Sequence, residues 1–211
     1  MKRSFSMLAG LMVPALGLVL GLAAAPAAQA TTITAGDIDG GSPNATIAIG
    51  SVSAIGGNLW HKTVQGVEGV GVGGGYVGGE IDNARESMIF SFDAPLVLSE
   101  LQLGFLFQTP NHDDSMNEAA EVIGMFGDSV YVGQLSLVDA LTGVWSFAFG
   151  GAVTNLSIGT EAGAGVFAIA NPFGDFLIDT LILNPVDVTG QADHRNADFS
   201  FISMTAVPEP G

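Results

Sequence analysis

The sequence predicts an all-β fold, a single-domain antiparallel β-sandwich or jelly roll, and three observations carry that prediction. Apolar side chains recur at every second position in segment after segment, the periodicity of a half-buried strand. Thirty glycines in 211 residues favour tight turns and short strands over long helices. There is no cysteine, so a domain of this size is held by burial of a core, with or without a bound ion, and not by disulfides.

The first 30 residues stand apart from this pattern. Met1, Lys2 and Arg3 precede an apolar stretch over residues 7–24, which closes on Ala28-Gln29-Ala30. A basic start, an apolar middle and small residues at Ala28 and Ala30 are the parts of a secretory signal peptide. They predict a signal helix, cleavage by signal peptidase after Ala30, and export. Gly10, Pro14, Gly17 and Gly21 interrupt the apolar run, which argues for removal over retention as an anchor.

Without residues 1–30 the chain has 181 residues, enough for one domain with a sizeable core. We assign residues 31–206 to the sandwich and 207–211 to a tail. Beyond residue 30, three basic residues (Lys62, Arg85, Arg195) stand against 21 acidic ones, a formal charge of −18. Such a polyanion repels nucleic acid and anionic membrane surfaces.

Taken in order, weak strand signals cover residues 46–55 and 59–64. The glycine-rich run 66–79 reads as a flexible loop or a bulged edge strand. Met88, Phe90 and Phe92 alternate with Ser87, Ile89 and Ser91, and Leu101, Leu103, Phe105 and Phe107 with Gln102, Gly104 and Leu106. With Asp93-Ala94-Pro95 between them as a turn, these read as two neighbouring antiparallel strands. Residues 115–122 offer the one short helix of the domain, with strand from Ala120 onward as the alternative. Tyr131, Gly133, Leu135 and Leu137 share a face, and Trp145, Phe147 and Phe149 share another. Gly150-Gly151 then leads into residues 153–158 as a hairpin. Segments 166–170, 176–183 and 198–206 complete roughly nine to twelve strands, the range of a two-sheet sandwich.

Little of the chemistry is catalytic. Gly69, Gly71 and Gly74 match a dinucleotide-binding spacing, but Tyr76-Val77-Gly78-Gly79 follows where a helix is required. No serine has the flanking glycines of a nucleophile elbow. His61, His112 and His194 lack metal-ligand spacing. The expectation is a protein that is not an enzyme.

Acidic residues gather at four places, and hard oxygen ligands suit calcium. Asp37 and Asp39 precede Gly40-Gly41; Glu80, Asp82, Asn83 and Glu86 form a second group. Asn111, Asp113, Asp114, Asn117 and Glu118 form a third, and Asp193, Asn196 and Asp198 a fourth. None has the spacing of an EF-hand loop. The candidate calcium ligands are Glu80, Asp82, Glu86 and Asp198. The competing reading is a solvated acidic loop in which Arg85 pairs with Glu86 or Asp82. Trp60 and Tyr76 are candidates for stacking on a sugar ring, whereas Trp145 belongs to the core.

The chain closes on Val207, Pro208, Glu209 and Pro210, directly after a strand-like segment. This tail resembles the start of the PEP-CTERM sorting signal of exported proteins in Gram-negative bacteria that make extracellular polysaccharide. The segment 79–86 ahead of Phe90-Ser91-Phe92-Asp93 looks like one that recurs in the same proteins. In that family a transmembrane helix and an Arg-rich tail follow, where an exosortase is thought to cut. Neither is in this sequence, so the chain is expected to be a truncated reading of a longer one. The resemblance implies a non-catalytic structural or interaction protein at the cell surface or in the extracellular matrix. Its implied partners are the signal peptidase and an exosortase-type enzyme, with extracellular polysaccharide beside them. The alternative is a calcium-dependent module that binds the polysaccharide.

Overall fold

The computed structural model describes residues 29–74, 77–82, 85–110, 117–157, 163–186 and 198–209. Residues 1–28, among them Ala28, and Tyr76, Asn83, residues 111–116, Asp193, Asn196 and Pro210 lie outside the described residues.

Thirteen strands form among the described residues, all paired antiparallel. They are β1 (Thr31–Thr34), β2 (Asn44–Ile47), β3 (Gly50–Ile55), β4 (Asn58–Val64), β5 (Val67–Gly73), β6 (Ser87–Gly104) and β7 (Ala119–Phe126). There follow β8 (Ser129–Leu137), β9 (Gly143–Trp145), β10 (Ala152–Asn155), β11 (Phe167–Ala170), β12 (Leu177–Pro185) and β13 (Ser200–Pro208). The one helical element among them is a 3-10 turn, Ala35–Asp37.

Strand β6 organises the sandwich. Its first half lies between β3 and β12, and its second half between β13 and β11. From the first half the order runs outward through β12, β7, β8 and β9; from the second it runs through β13, β5 and β4. The change of partners falls between Phe92, the last residue paired to β3, and Leu96, opposite Pro208 of β13. Pro95 sits in that gap, where the missing N–H breaks no ladder bond. A register shift in β12 between Ile178 and Thr180 lies alongside, and such irregularities bend and twist a strand. Residues 87–92 and 101–104 are therefore parts of one bent strand and not two neighbouring ones, and Phe105 and Phe107 lie beyond its end.

Inward side chains of the two layers meet in a continuous core. Val52, Phe90 and Leu181 stand in one cross-strand row, and Phe90 reaches Phe201 of β13 at 4.9 Å between ring centroids. Glycine sits where a ring crosses a strand: a methyl on Gly133 would overlap the Trp145 indole. Trp145 is 8% exposed and donates from Nε1 to the Pro172 carbonyl at 2.9 Å, which supports its assignment to the core.

Two readings left open resolve to strand, and two further expectations are corrected. Residues 119–122 are strand: Ala120 and Val122 point into the core, and β7 pairs β8 across Gly127-Asp128, with Gly127 at φ +55°. The glycine-rich run contains β5, a full partner of β4. Strand β10 pairs β11 and not the segment before it. Strand β9 ends at Trp145, so Phe147 and Phe149 lie beyond it, and Phe149 is 72% exposed.

Candidate functional site

Strand β5 carries glycine at alternate positions: side chains of Phe105 and Trp60 cover Gly69 and Gly73, and Gly71 receives another stretch of backbone. A methyl on Gly71 would stand 2.6 Å from the Gly79 carbonyl oxygen and 2.7 Å from Glu80 Cα. Residues 77–82 thus lie as a strap across β5. The Gly79 amide donates to the Val72 carbonyl at 3.2 Å, and the Val72 amide to the Glu80 carbonyl at 3.0 Å. On the other side the Ile81 amide donates to the Phe199 carbonyl at 2.8 Å, and Ser200 Oγ donates to the Gly79 carbonyl at 2.6 Å. Gly79 adopts φ +93° with its α-carbon against Lys62, a conformation and a fit that glycine alone meets without strain.

The strap carries acidic side chains inward. Glu80, Asp82 and Glu86 are each no more than 2% exposed, and Glu118, at the start of β7, is 1% exposed. Lys62 of β4 places Nζ 2.5 Å from Glu80 Oε1 and 5.6 Å from the centroid of the Phe105 ring. The Val77 amide donates to Asp82 Oδ2 at 2.6 Å, the Asp82 amide to Glu86 Oε2 at 3.0 Å, and the Phe107 amide to Glu118. Asp198, partly buried just ahead of β13, shares a hydrogen bond with Glu118. Two carboxyl groups hydrogen-bond to each other only when one holds a proton. Asp198 Oδ1 is itself buried without a hydrogen-bond partner among the described residues.

Electrostatics in this cluster favour protons. Burial, first, and then the charge of Asp198 push the Glu80 carboxyl up to about 7, with Asp82 adding to the rise and Lys62 opposing it. Burial also holds the Asp198 carboxyl above its usual range, against the hydrogen bond from Glu118 and the charge of Lys62. Removing a carboxylate from water costs more than one nearby ammonium returns.

The four candidate calcium ligands therefore share one region, where Lys62 takes Glu80 Oε1 and backbone amides take Asp82 Oδ2 and Glu86 Oε2. Among the described residues no three carboxylate or imidazole groups converge to hold a metal ion. Asp37 is also occupied, accepting from the Thr34 amide at 2.8 Å and Thr34 Oγ1 at 2.7 Å, bonds that lower its pKa. Sequence reasoning missed the role of Lys62. It is the one lysine beyond residue 30, and that scarcity was a signal for a specific partner.

Trp60 lies outside this sealed cluster. It is 53% exposed on β4, with Cβ close to Gly73 and the indole edge running beside Gly78, where an added methyl would lie 3.4 Å away. Beside it is a shallow groove of about 340 Å³ lined by Gly40, Gly41, Trp60 and His61. His61 is held by a hydrogen bond on one side and approached by a carboxylate on the other. Nε2 donates to the Ile38 carbonyl at 2.8 Å, since a carbonyl only accepts, and Nδ1 stands 3.0 Å from Glu68 Oε1.

In the C-terminal Val-Pro-Glu-Pro run, Val207 and Pro208 end β13 opposite Val97 and Leu96, and Glu209 follows as an exposed residue. Ala30 is exposed immediately before β1. No helix among the described residues is long and apolar enough to cross a membrane. Comparison with family models, with curated proteins and with solved structures gave no match to this chain.

Proposed function

We propose that this chain is an exported, non-catalytic domain of the cell surface or extracellular matrix, sorted through its Val207-Pro208-Glu209-Pro210 tail, and that it meets extracellular polysaccharide at the groove beside Trp60. The observation that carries the binding part is the exposed Trp60 indole flanked by glycines. An apolar ring face with open space next to it suits the C–H face of a sugar, and a groove of about 340 Å³ is matched to roughly one ring at the small end of ligand pockets. The acidic balance of the chain disfavours anionic glycans and leaves a neutral sugar as the better partner. The absence of catalysis is supported by the state of Glu80 and Glu86, the carboxyls best placed for glycan hydrolysis, which are sealed from solvent at 2% exposure.

Calorimetry of the purified chain with neutral polysaccharide from the producing cells tests the binding. The expected result is saturable heat that falls about tenfold or more in affinity in Trp60→Ala, the loss of roughly 1.4 kcal/mol of contact. Equal heat from the natural chain and the variant would remove the groove from the account. Sorting is tested separately, by fractionating cells and sequencing the N-terminus of the protein found outside the cytoplasm; Thr31 as the first residue is the expected result.

A further inference from the structure

We propose that the outward face of the layer built from the first half of β6 with β12, β7 and β8 is where two copies of this chain meet, sheet against sheet. The inference rests on that face alone and needs neither sugar binding nor sorting.

The solvent side of an antiparallel sheet is normally polar, because alternate side chains meet water. Here its middle row is apolar. Ile89 of β6 stands opposite Ile182 of β12, Ile182 opposite Ile123 of β7, and Ile123 opposite Val132 of β8. The isoleucines are only partly buried and Val132 is half-exposed. In the next row Ser91, Thr180, Met125 and Val130 follow one another in the same strand order, and Val130 is again half-exposed. The row on the other side is polar and bonded within itself. Ser87 Oγ donates to Asn184 Oδ1 at 2.7 Å, Asn184 Nδ2 donates to Glu121 Oε1 at 3.1 Å, and Gln134 stands opposite Glu121. Half-exposed Ile55 of β3, opposite Ser87, and Val144 of β9, opposite Ser136, extend the apolar surface at its two edges.

Charge identifies the occupant. Beyond residue 30 the chain carries −18, so two copies repel each other wherever carboxylates face outward. In the three rows Glu121 is the single charged side chain, and it already accepts from an amide. This is a place where a like-charged copy approaches at low cost. A cationic partner would be drawn to the acidic loops instead, and a sugar is better served by an aromatic ring beside a groove, whereas these rows hold no aromatic residue. Size agrees with the same occupant. Six strands about 4.8 Å apart and five residues at about 3.4 Å each span about 500 Å² in plan, and side-chain relief raises the accessible area above that. A specific interface takes about 600–1,000 Å² from each partner, so the face suits a pair of micromolar affinity. A two-fold axis brings the same rows together from both copies, and β-branched side chains of two sheets about 10 Å apart interdigitate.

Sedimentation equilibrium of the purified chain over a concentration series tests the pairing. A monomer–dimer equilibrium with a dissociation constant on the order of 10 µM is expected, and it should tighten between about 0.05 M and 0.5 M NaCl as the repulsion between copies is screened. Val132→Asp and Ile123→Asp each place two carboxylates in the shared face and should weaken the dimer about tenfold or more. Leu156→Asp, at an equally exposed apolar position on a different part of the domain, should leave it unchanged. A chain that stays monomeric to about 1 mM in 0.5 M NaCl would overturn the proposal. So would a dimer that weakens with salt, or one that ignores Val132→Asp. If Ile123→Asp does not fold, Val132→Asp at its half-exposed position carries the comparison. A monomeric chain whose face instead captures a different protein, with Val132→Asp abolishing the capture, equally rules out the second copy.

Discussion

The ammonium of Lys62 stands 2.5 Å from Glu80 Oε1, yet Glu80 still holds its proton to about 7. An ion pair on a surface would do the reverse and lower the carboxyl. Here burial and the neighbouring carboxylates outweigh the lysine, and the acidic group becomes the base of the cluster.

The first prediction concerns stability and pH. The Glu80 proton is held more tightly in the folded chain than in the unfolded one, where the group titrates near 4.5. Its stabilising contribution is therefore complete below about pH 4.5 and is lost as pH rises through about 7. Urea unfolding should give a folding free energy on the order of 1–3 kcal/mol greater at pH 5 than at pH 8. Asp37, with its lowered pKa, works in the opposite direction and only at pH values below its ordinary range of about 3.8. A flat or rising stability between pH 5 and pH 8 would contradict the assignment.

Removing the cation should cost different amounts at different pH. Lys62→Met leaves Glu80 without its ammonium, but at pH 5 that carboxyl is neutral and the loss is small. At pH 8 it is charged, and breaking a buried pair from one side costs about 3–5 kcal/mol at the extreme. The gap between variant and natural chain in chemical denaturation should widen by roughly 1–3 kcal/mol from pH 5 to pH 8.

Two glycine substitutions should separate strap from core. Gly71→Ala pushes a methyl into the Gly79 carbonyl and the Glu80 backbone, so the strap shifts; a loss of about 1–3 kcal/mol is expected, as for overpacking elsewhere. Exchange of the Ile81 amide should rise with it. Gly133→Ala drives a methyl into the Trp145 ring and should lower the melting temperature while leaving strap exchange, relative to global opening, unchanged.

The two tryptophans should behave as opposites. Trp145→Ala opens a cavity in a buried site and is expected to cost about 3–5 kcal/mol. Trp60→Ala removes a half-exposed ring and should change thermal stability by less than about 1 kcal/mol, while affecting sugar binding. A stability loss at Trp60 equal to that at Trp145 would show that its ring is structural.

Much of the sandwich was legible because period-two patterning is a local property. Phe90, Leu101, Leu135, Leu181 and Phe201 could each be placed on an inner face from their immediate neighbours. The joining of residues 87–92 to 101–104 in one strand was not legible. Asp93-Ala94-Pro95 has turn chemistry, and only the handover from β3 to β13 makes a proline harmless at that point. The β7–β8 hairpin did carry a local signal, Gly127-Asp128 between alternating runs, which the Asn117-Glu118 helix start obscured. At the candidate site, Glu80, Asp82, Glu86 and Asp198 were grouped by residue type, and the fold brings them to one region. Their burial was hidden, because it depends on Gly71 leaving room for the strap across β5, a relation between segments and not within one.

Strand β13 pairs both with β1, the first strand of the domain, through Ala206 and Thr31, and with the second half of β6, through Ser200 and Gly104. Among the described strands, β1 therefore has its one partner about 170 positions further along the chain, and half of the longest strand takes one of its flanks from the same late segment. Contacts between such distant parts of the chain are expected to be the slow step of assembly.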